Sequence, residues 1–279
     1  MCVFVFSASA ASTENSVSQI SLHAFSDVCS AKEQVKSEHT EMSKDDMISV
    51  LNRYAMTGND AYMEQLNNAG YYLYNDDVEN QVSPISAPTD IELYDMIVRD
   101  EGDDTWLVVF FGHWKNLSAI SSDNTRWFNP QEGDHHNIGG LDMVGFRFYN
   151  VTGPTPNIKK AYARIEAISH DCDEKQILTN PCILDEREGI AYQYQDYLVC
   201  TKRHSPFTYD WAYMGRSFDV VTEFDNSFEN FHGKVRGVYA HSWNDSSVTS
   251  VGLSTSGFSI GWSTTSHHFE MYSAYPKVF

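Results

Sequence analysis

The stretch GFSIG, residues 257 to 261, spells G-x-S-x-G, the arrangement in which a serine hydrolase presents its nucleophile. That chemistry needs a strand, a strained turn and a helix in succession, so that the hydroxyl is exposed and an acid and a histidine follow along the chain. Ser259 instead sits between Phe258 and Ile260 in an alternating run, and only His267 and His268 follow it. The expectation is a serine on the polar side of a strand, and no residue is assigned a catalytic role.

Metal chemistry has two places to start. Asp134, His135 and His136, in EGDHHNIGG, offer a carboxylate and two imidazoles, all ordinary zinc ligands. Neighbours in one loop seldom complete a site, so a further ligand would have to come from elsewhere, with His113 and Asp142 the candidates; a solvated loop is expected instead. DEGDD, residues 100 to 104, places four carboxylates around Gly102. It lacks the alternating ligands and distal glutamate of an EF-hand, so it reads as a polar turn whose charges discourage edge pairing. No cofactor motif stands out, and no cofactor is expected.

Aromatic side chains can stack on sugar rings when exposed on a sheet, or simply fill a core. Trp114, Trp127, Trp211, Trp243 and Trp262 are the residues to weigh. Trp127, in DNTRWFNP, and Trp211, in TYDWAY, read as loop-borne and are the ligand-binding candidates, whereas Trp262 reads as core.

These side chains must be positioned by something, and the pattern of the chain says what. Residues 1–11 contain a short apolar run followed by small residues, which reads as the remnant of a secretion signal, and 12–42 form a polar leader. Across 43–75 the period is helical. Ser43 can cap a helix with Asp45 and Asp46 in its first turn and Met47, Val50, Leu51 and Tyr54 on one face, ended by Gly58. Asn59 can cap a second helix that Gly70 closes. This hairpin has too few apolar residues to stand alone, so it must dock or project.

After a linker at 76–90 marked by Pro84 and Pro88, the period shortens to two. IELYDMIVR, TWLVVFFGHW, LDMVGFRFYNV, KAYARIEAIS, GIAYQYQDYLVC, SFDVVTEF and KVRGVYAHSW alternate, and SVTSVGLS with GFSIGWSTT makes a half-buried terminal hairpin. Strands without intervening amphipathic helices predict that 91–279 is an antiparallel β-sandwich, mainly β in class, preceded by the helical hairpin.

Composition limits the partners. With 19 Lys and Arg against 38 Asp and Glu, the formal charge is -19, which repels nucleic acid and anionic lipid. No stretch supplies the roughly 18 apolar residues of a membrane-spanning helix, so no integral membrane segment is expected. Cys2 would leave with the signal, and Cys29, Cys172, Cys182 and Cys200 would remain; Cys172 and Cys182, which enclose the polar loop DEKQILTNP, are the most economical pair, with free thiols the alternative.

MISVLNRYAMTGNDAYMEQLNNAGYYL, LDMVGFRFYN, GIAYQYQDY and above all VYAHSWNDSSVTSVGLSTSGFSIGWS resemble uncharacterised secreted β-rich proteins of Gram-positive bacteria, in which a helical leader precedes a C-terminal His-x-Trp hairpin region. The likeness touches most of residues 45 to 265 and departs from the pattern at the cysteine-bearing insertion near 172 to 182. It implies export and β architecture and brings no known activity.

The expected function is therefore that of an exported, non-catalytic β-sandwich binding a glycan or protein partner at or outside the cell surface. Two alternatives stand beside it: a pore-forming toxin using the terminal hairpin, and a hydrolase whose acid and base meet only on folding.

Overall fold

The computed structural model describes residues 41–74, 90–117, 129–169, 172–254, 257–274 and 276–279. The expected signal remnant, nearly all of the leader and linker, Cys29 and Trp127 lie outside the described residues.

Local chemistry sets the helix ends. The Ser43 hydroxyl accepts a hydrogen bond from the Asp46 amide at 3.1 Å at the start of α1 (Lys44–Thr57). Gly58, at φ 62, ends the helix in the left-handed conformation and donates its N–H to the Tyr54 carbonyl at 2.8 Å. Asn59 then accepts from the Ala61 amide at 3.1 Å to begin α2 (Asp60–Asn68).

The rest is strand. Sheet A contains, in spatial order, β1 (Tyr71–Leu73), β2 (Ile91–Asp100), β3 (Thr105–Trp114), β10 (Ser217–Phe224), β5 (Ile158–Ser169) and β6 (Cys172–Leu178). Sheet B runs β14 (His268–Tyr272), β11 (His232–Ser242), β4 (His135–Thr152), β8 (Gly189–Ser205) and β7 (Ile183–Asp185). To sheet B are added β15 (Lys277–Val278) beside β11 and β9 (Thr208–Met214) beside the far part of β8. β12 (Val248–Ser254) and β13 (Gly257–Trp262) form a separate hairpin. Every pairing is antiparallel, and the chain is the β-sandwich, preceded by a helical hairpin, that its alternation predicts.

The inward phase of each strand fills the space between the sheets. Val144, Phe146 and Phe148 of β4, Tyr192 and Tyr194 of β8, and Val235 and Tyr239 of β11 meet Val108, Phe110, Ile165, Phe218 and Val220 from sheet A. Gly237 lets the sheets close: a β-carbon there would lie 2.0 Å from the Phe110 ring. The outer faces are covered too. Met47, Ile48 and Leu51 pack on Met96, Val98, Leu107, Val109 and Phe111 of sheet A, so the helices dock rather than project. The β12–β13 hairpin covers Met143, Ala191, Val238 and Ala240 of sheet B, as its apolar stripe requires.

Three local expectations are corrected. DEKQILTNP is not a loop: most of it is strand β6. That strand carries the chain about 20 Å at ordinary rise, so Cys172 on sheet A and Cys182, bonded to Ala191 beside sheet B, do not pair. Among the described residues Cys172, Cys182 and Cys200 are all free thiols. EGDHHNIGG is not a solvated loop from His135 onward, because β4 begins there and pairs with Val199 and Leu198 of β8. Trp211 is borne by strand β9, opposite Cys200, and not by a loop.

Two predictions follow from the docked helices. Leu51→Ala leaves a cavity between α1 and sheet A and is expected to cost about 2–5 kcal/mol in chemical denaturation. Beneath the same helices, burial pushes the Asp219 carboxyl up to about 7, although Arg164 sits 2.8 Å away. A carboxyl raised in the folded state favours folding below its unfolded value of 3.8 and loses that contribution as pH rises through about 7. His113, whose charged form burial disfavours, works in the opposite direction. The melting temperature is expected to be higher near pH 6 than near pH 8, with a smaller difference in Asp219→Asn.

Candidate functional site

Ser259 is exposed in mid-β13, directly opposite Gly252 of β12, with Phe258 buried beside it. No turn or helix is present there, so the hydrolase arrangement is absent from GFSIG. The hairpin strands are seven and six residues long, below the roughly 9–11 residues with which a tilted strand crosses a bilayer.

The structure does not gather the first metal candidates. His135 and His136 are successive residues of a strand and point to opposite sides of it. His135 stacks on Tyr197 with ring centres 4.5 Å apart and lies 3.5 Å from Glu174, while Asp134 accepts from the Gln131 amide at 2.7 Å. His113 is on sheet A beside Glu92, and Asp142 is elsewhere in the interior. In DEGDD the companion cations are Arg99, which pairs with Asp104, and Lys44, whose ammonium lies 2.8 Å from Asp103 and 3.6 Å from Asp100, and also 2.9 Å from Glu223. Burial opposes the charge on Lys44, and its bonds to Asp103 and Glu223 overcome that, raising its pKa.

The tryptophans divide by layer. Trp114 is buried at one end of the sandwich, Trp243 is half-buried near it, and Trp262 is half-buried, stacked on His268 at 4.0 Å and packed against the hairpin cluster. Trp211 is half-buried on the same side of β9 as Tyr209 and the buried Tyr213, because those residues are two apart. Phe207 stands between β8 and β9 and is 77% exposed. The tip is tied down: the Asn129 amide donates to the Pro206 carbonyl at 3.1 Å, Arg203 donates to the Asn129 side chain at 2.6 Å, and His204 meets Asp210 at 2.9 Å.

A second constellation lies deep between the sheets, where β4, β8 and β11 run side by side. Asp142 and Asp196 are fully buried and His241 is 3% exposed. His241 Nδ1 lies 2.8 Å from Asp142 Oδ2 and 3.7 Å from Asp196 Oδ2. The other Asp142 oxygen accepts from the Ser242 amide at 2.8 Å and its hydroxyl at 3.2 Å, and the Tyr213 hydroxyl donates to Asp196 Oδ2 at 2.8 Å. Rings of Trp114, Phe269, Tyr239 and Trp243 surround the imidazole at 5.3 to 5.9 Å. Burial, with the neighbouring charge of Asp142, raises the Asp196 carboxyl well above its usual range. Burial likewise keeps Tyr194, Tyr213 and Tyr239 protonated.

The sequence offers Asp142 only as a remote partner for the EGDHH histidines, carries His241 only within the His-x-Trp pattern, and gives Asp196 no role. The signal was readable as phase. Asp142 continues the inward register of Val144, Phe146 and Phe148; Asp196 continues that of Tyr192 and Tyr194; and His241 follows Tyr239. A charged residue on an inward phase demands a partner from another strand. Because the groups are sealed from solvent, a substrate would reach them only if the aromatic cover moved.

No protein-family model matches the chain, and comparison with curated proteins finds no similar one.

Removing one member of the buried set leaves the others uncompensated. Asp142→Ala is expected to destabilise the fold by about 3–5 kcal/mol, well beyond the effect of a surface substitution, as equilibrium unfolding in urea will show.

Proposed function

We propose that this chain is an exported, non-catalytic β-sandwich that binds a glycan or protein partner at or outside the cell surface. The observation that carries the reading is the β8–β9 hairpin, with Phe207 77% exposed at its tip and Tyr209 and Trp211 half-buried along one side. Residues two apart on a strand are about 7 Å apart, so these two rings can lie against successive units of one partner. Aromatic rings on a fixed backbone contribute contact area at little entropic cost. Asn129, Arg203 and the His204–Asp210 pair supply that fixed backbone. Export is supported by the apolar opening followed by small residues, and by the resemblance to secreted proteins. The formal charge of -19 favours neutral or basic partners over polyanions.

A glycan array followed by pull-down from surface extracts tests the reading. Trp211→Ala and Phe207→Ser are each expected to weaken the captured interaction at least about tenfold while the melting curve keeps its shape. Binding unchanged in both variants, or turnover of a substrate in a broad hydrolase screen, would reject it.

A further inference from the structure

We propose that Asp142, Asp196 and His241 form a buried binding site for one first-row divalent cation, with zinc the best match to the ligand set. One ligand atom from each of the three side chains lies within 4.8 Å of the other two. Atoms bonded to a common ion at about 2.0–2.2 Å stand roughly 3 to 3.5 Å apart at right or tetrahedral angles. The separations of 2.8 and 3.7 Å from His241 Nδ1 to the two carboxylates bracket that range. Mixed imidazole and carboxylate ligands suit zinc and its neighbours better than calcium or magnesium, which take oxygen alone.

The independent observation is an unsatisfied atom. Asp196 is fully buried, and its Oδ1 makes no hydrogen bond among the described residues. Ionised, that oxygen is a buried acceptor without a donor; protonated, it carries a hydrogen without an acceptor. A cation held by both oxygens of Asp196, with Oδ2 still accepting from Tyr213, removes either deficit. The buried Tyr194 hydroxyl nearby also faces Tyr239 without closing a well-formed hydrogen bond.

The surroundings are those of a built site. The Ser242 amide and hydroxyl orient Asp142, and the Tyr213 hydroxyl orients Asp196, the outer-layer support that fixes metal-binding carboxylates. The Trp114, Tyr239, Trp243 and Phe269 rings surround His241, and the three side chains, at one position each, leave one of zinc's four usual coordination positions unfilled by protein. The effect of the ion would be to fasten β4, β8 and β11 together at one end of the sandwich.

The test uses the full chain, stripped with chelator and titrated with Zn²⁺ alone and then Co²⁺ alone. One ion per chain is expected by calorimetry, with a melting temperature raised by several degrees and tryptophan fluorescence quenched by Co²⁺ through Trp114 and Trp243. Asp196→Asn keeps the side-chain shape and is expected to weaken ion binding at least about a hundredfold, whereas His136→Ala leaves it intact. Should Asp196→Asn fail to fold, Trp243→Phe reads the same site, since Co²⁺ quenching should fall with the ring next to His241 removed. Absence of stoichiometric binding by the unmodified protein, binding retained in Asp196→Asn, or bound Co²⁺ that leaves tryptophan emission unchanged would overturn the proposal.

Discussion

Sheet B must bury both of its faces, and the rest of the molecule follows from that constraint. Its inner face meets sheet A through aromatic rings that come as close as the 4.5 Å between Phe218 and Tyr239. Gly237 permits this approach, because any side chain there would occupy the space of the Phe110 ring. On the outer face Met143, Val238 and Ala240 would be wet without β12 and β13. The terminal hairpin is thus the cover that a two-sided apolar sheet needs, which explains its stripe of Phe258, Ile260 and Trp262 without assigning it to a membrane. The helices perform the same service for sheet A.

Two sets of buried charged groups lie where side chains from different strands meet. Arg164 and Asp219 pair under the helices, and Asp142, Asp196 and His241 meet between the sheets. Both sets join strands that are distant along the chain, so each acts as a check on register. A one-residue slip of β4 would turn Asp142 away from His241 and bring Met143 inward. Buried charge of this kind contributes little net stability while complete and costs much when broken.

The exposed aromatic residues occupy a different part of sheet B, where β8 runs beyond the pairing with β4 and continues against β9 alone. At its inner part this pair still packs on the core through Leu198, Ala212, Tyr213 and Met214, with Trp211 against them, and towards the tip Phe207 is exposed.

Sequence alone determined what depends on near neighbours. The period-two alternation predicted nine of the strands, β2 to β5, β8 and β10 to β13, and their sandwich; Ser43, Gly58 and Asn59 set the helix ends, and the residues around Ser259 identified a strand serine. Each of these is decided within a few residues by hydrogen bonding, backbone preference or alternation. Tertiary structure decided the rest. That β4 begins at His135, that Trp211 lies on a strand, and that Cys172 lies on sheet A while Cys182 lies beside sheet B all depend on which strands pair. The meeting of Asp142, Asp196 and His241 depends on it most of all, since spacing along three separate strands carries no information about their order in a sheet; only the shared burial of their faces brings the three side chains to one point.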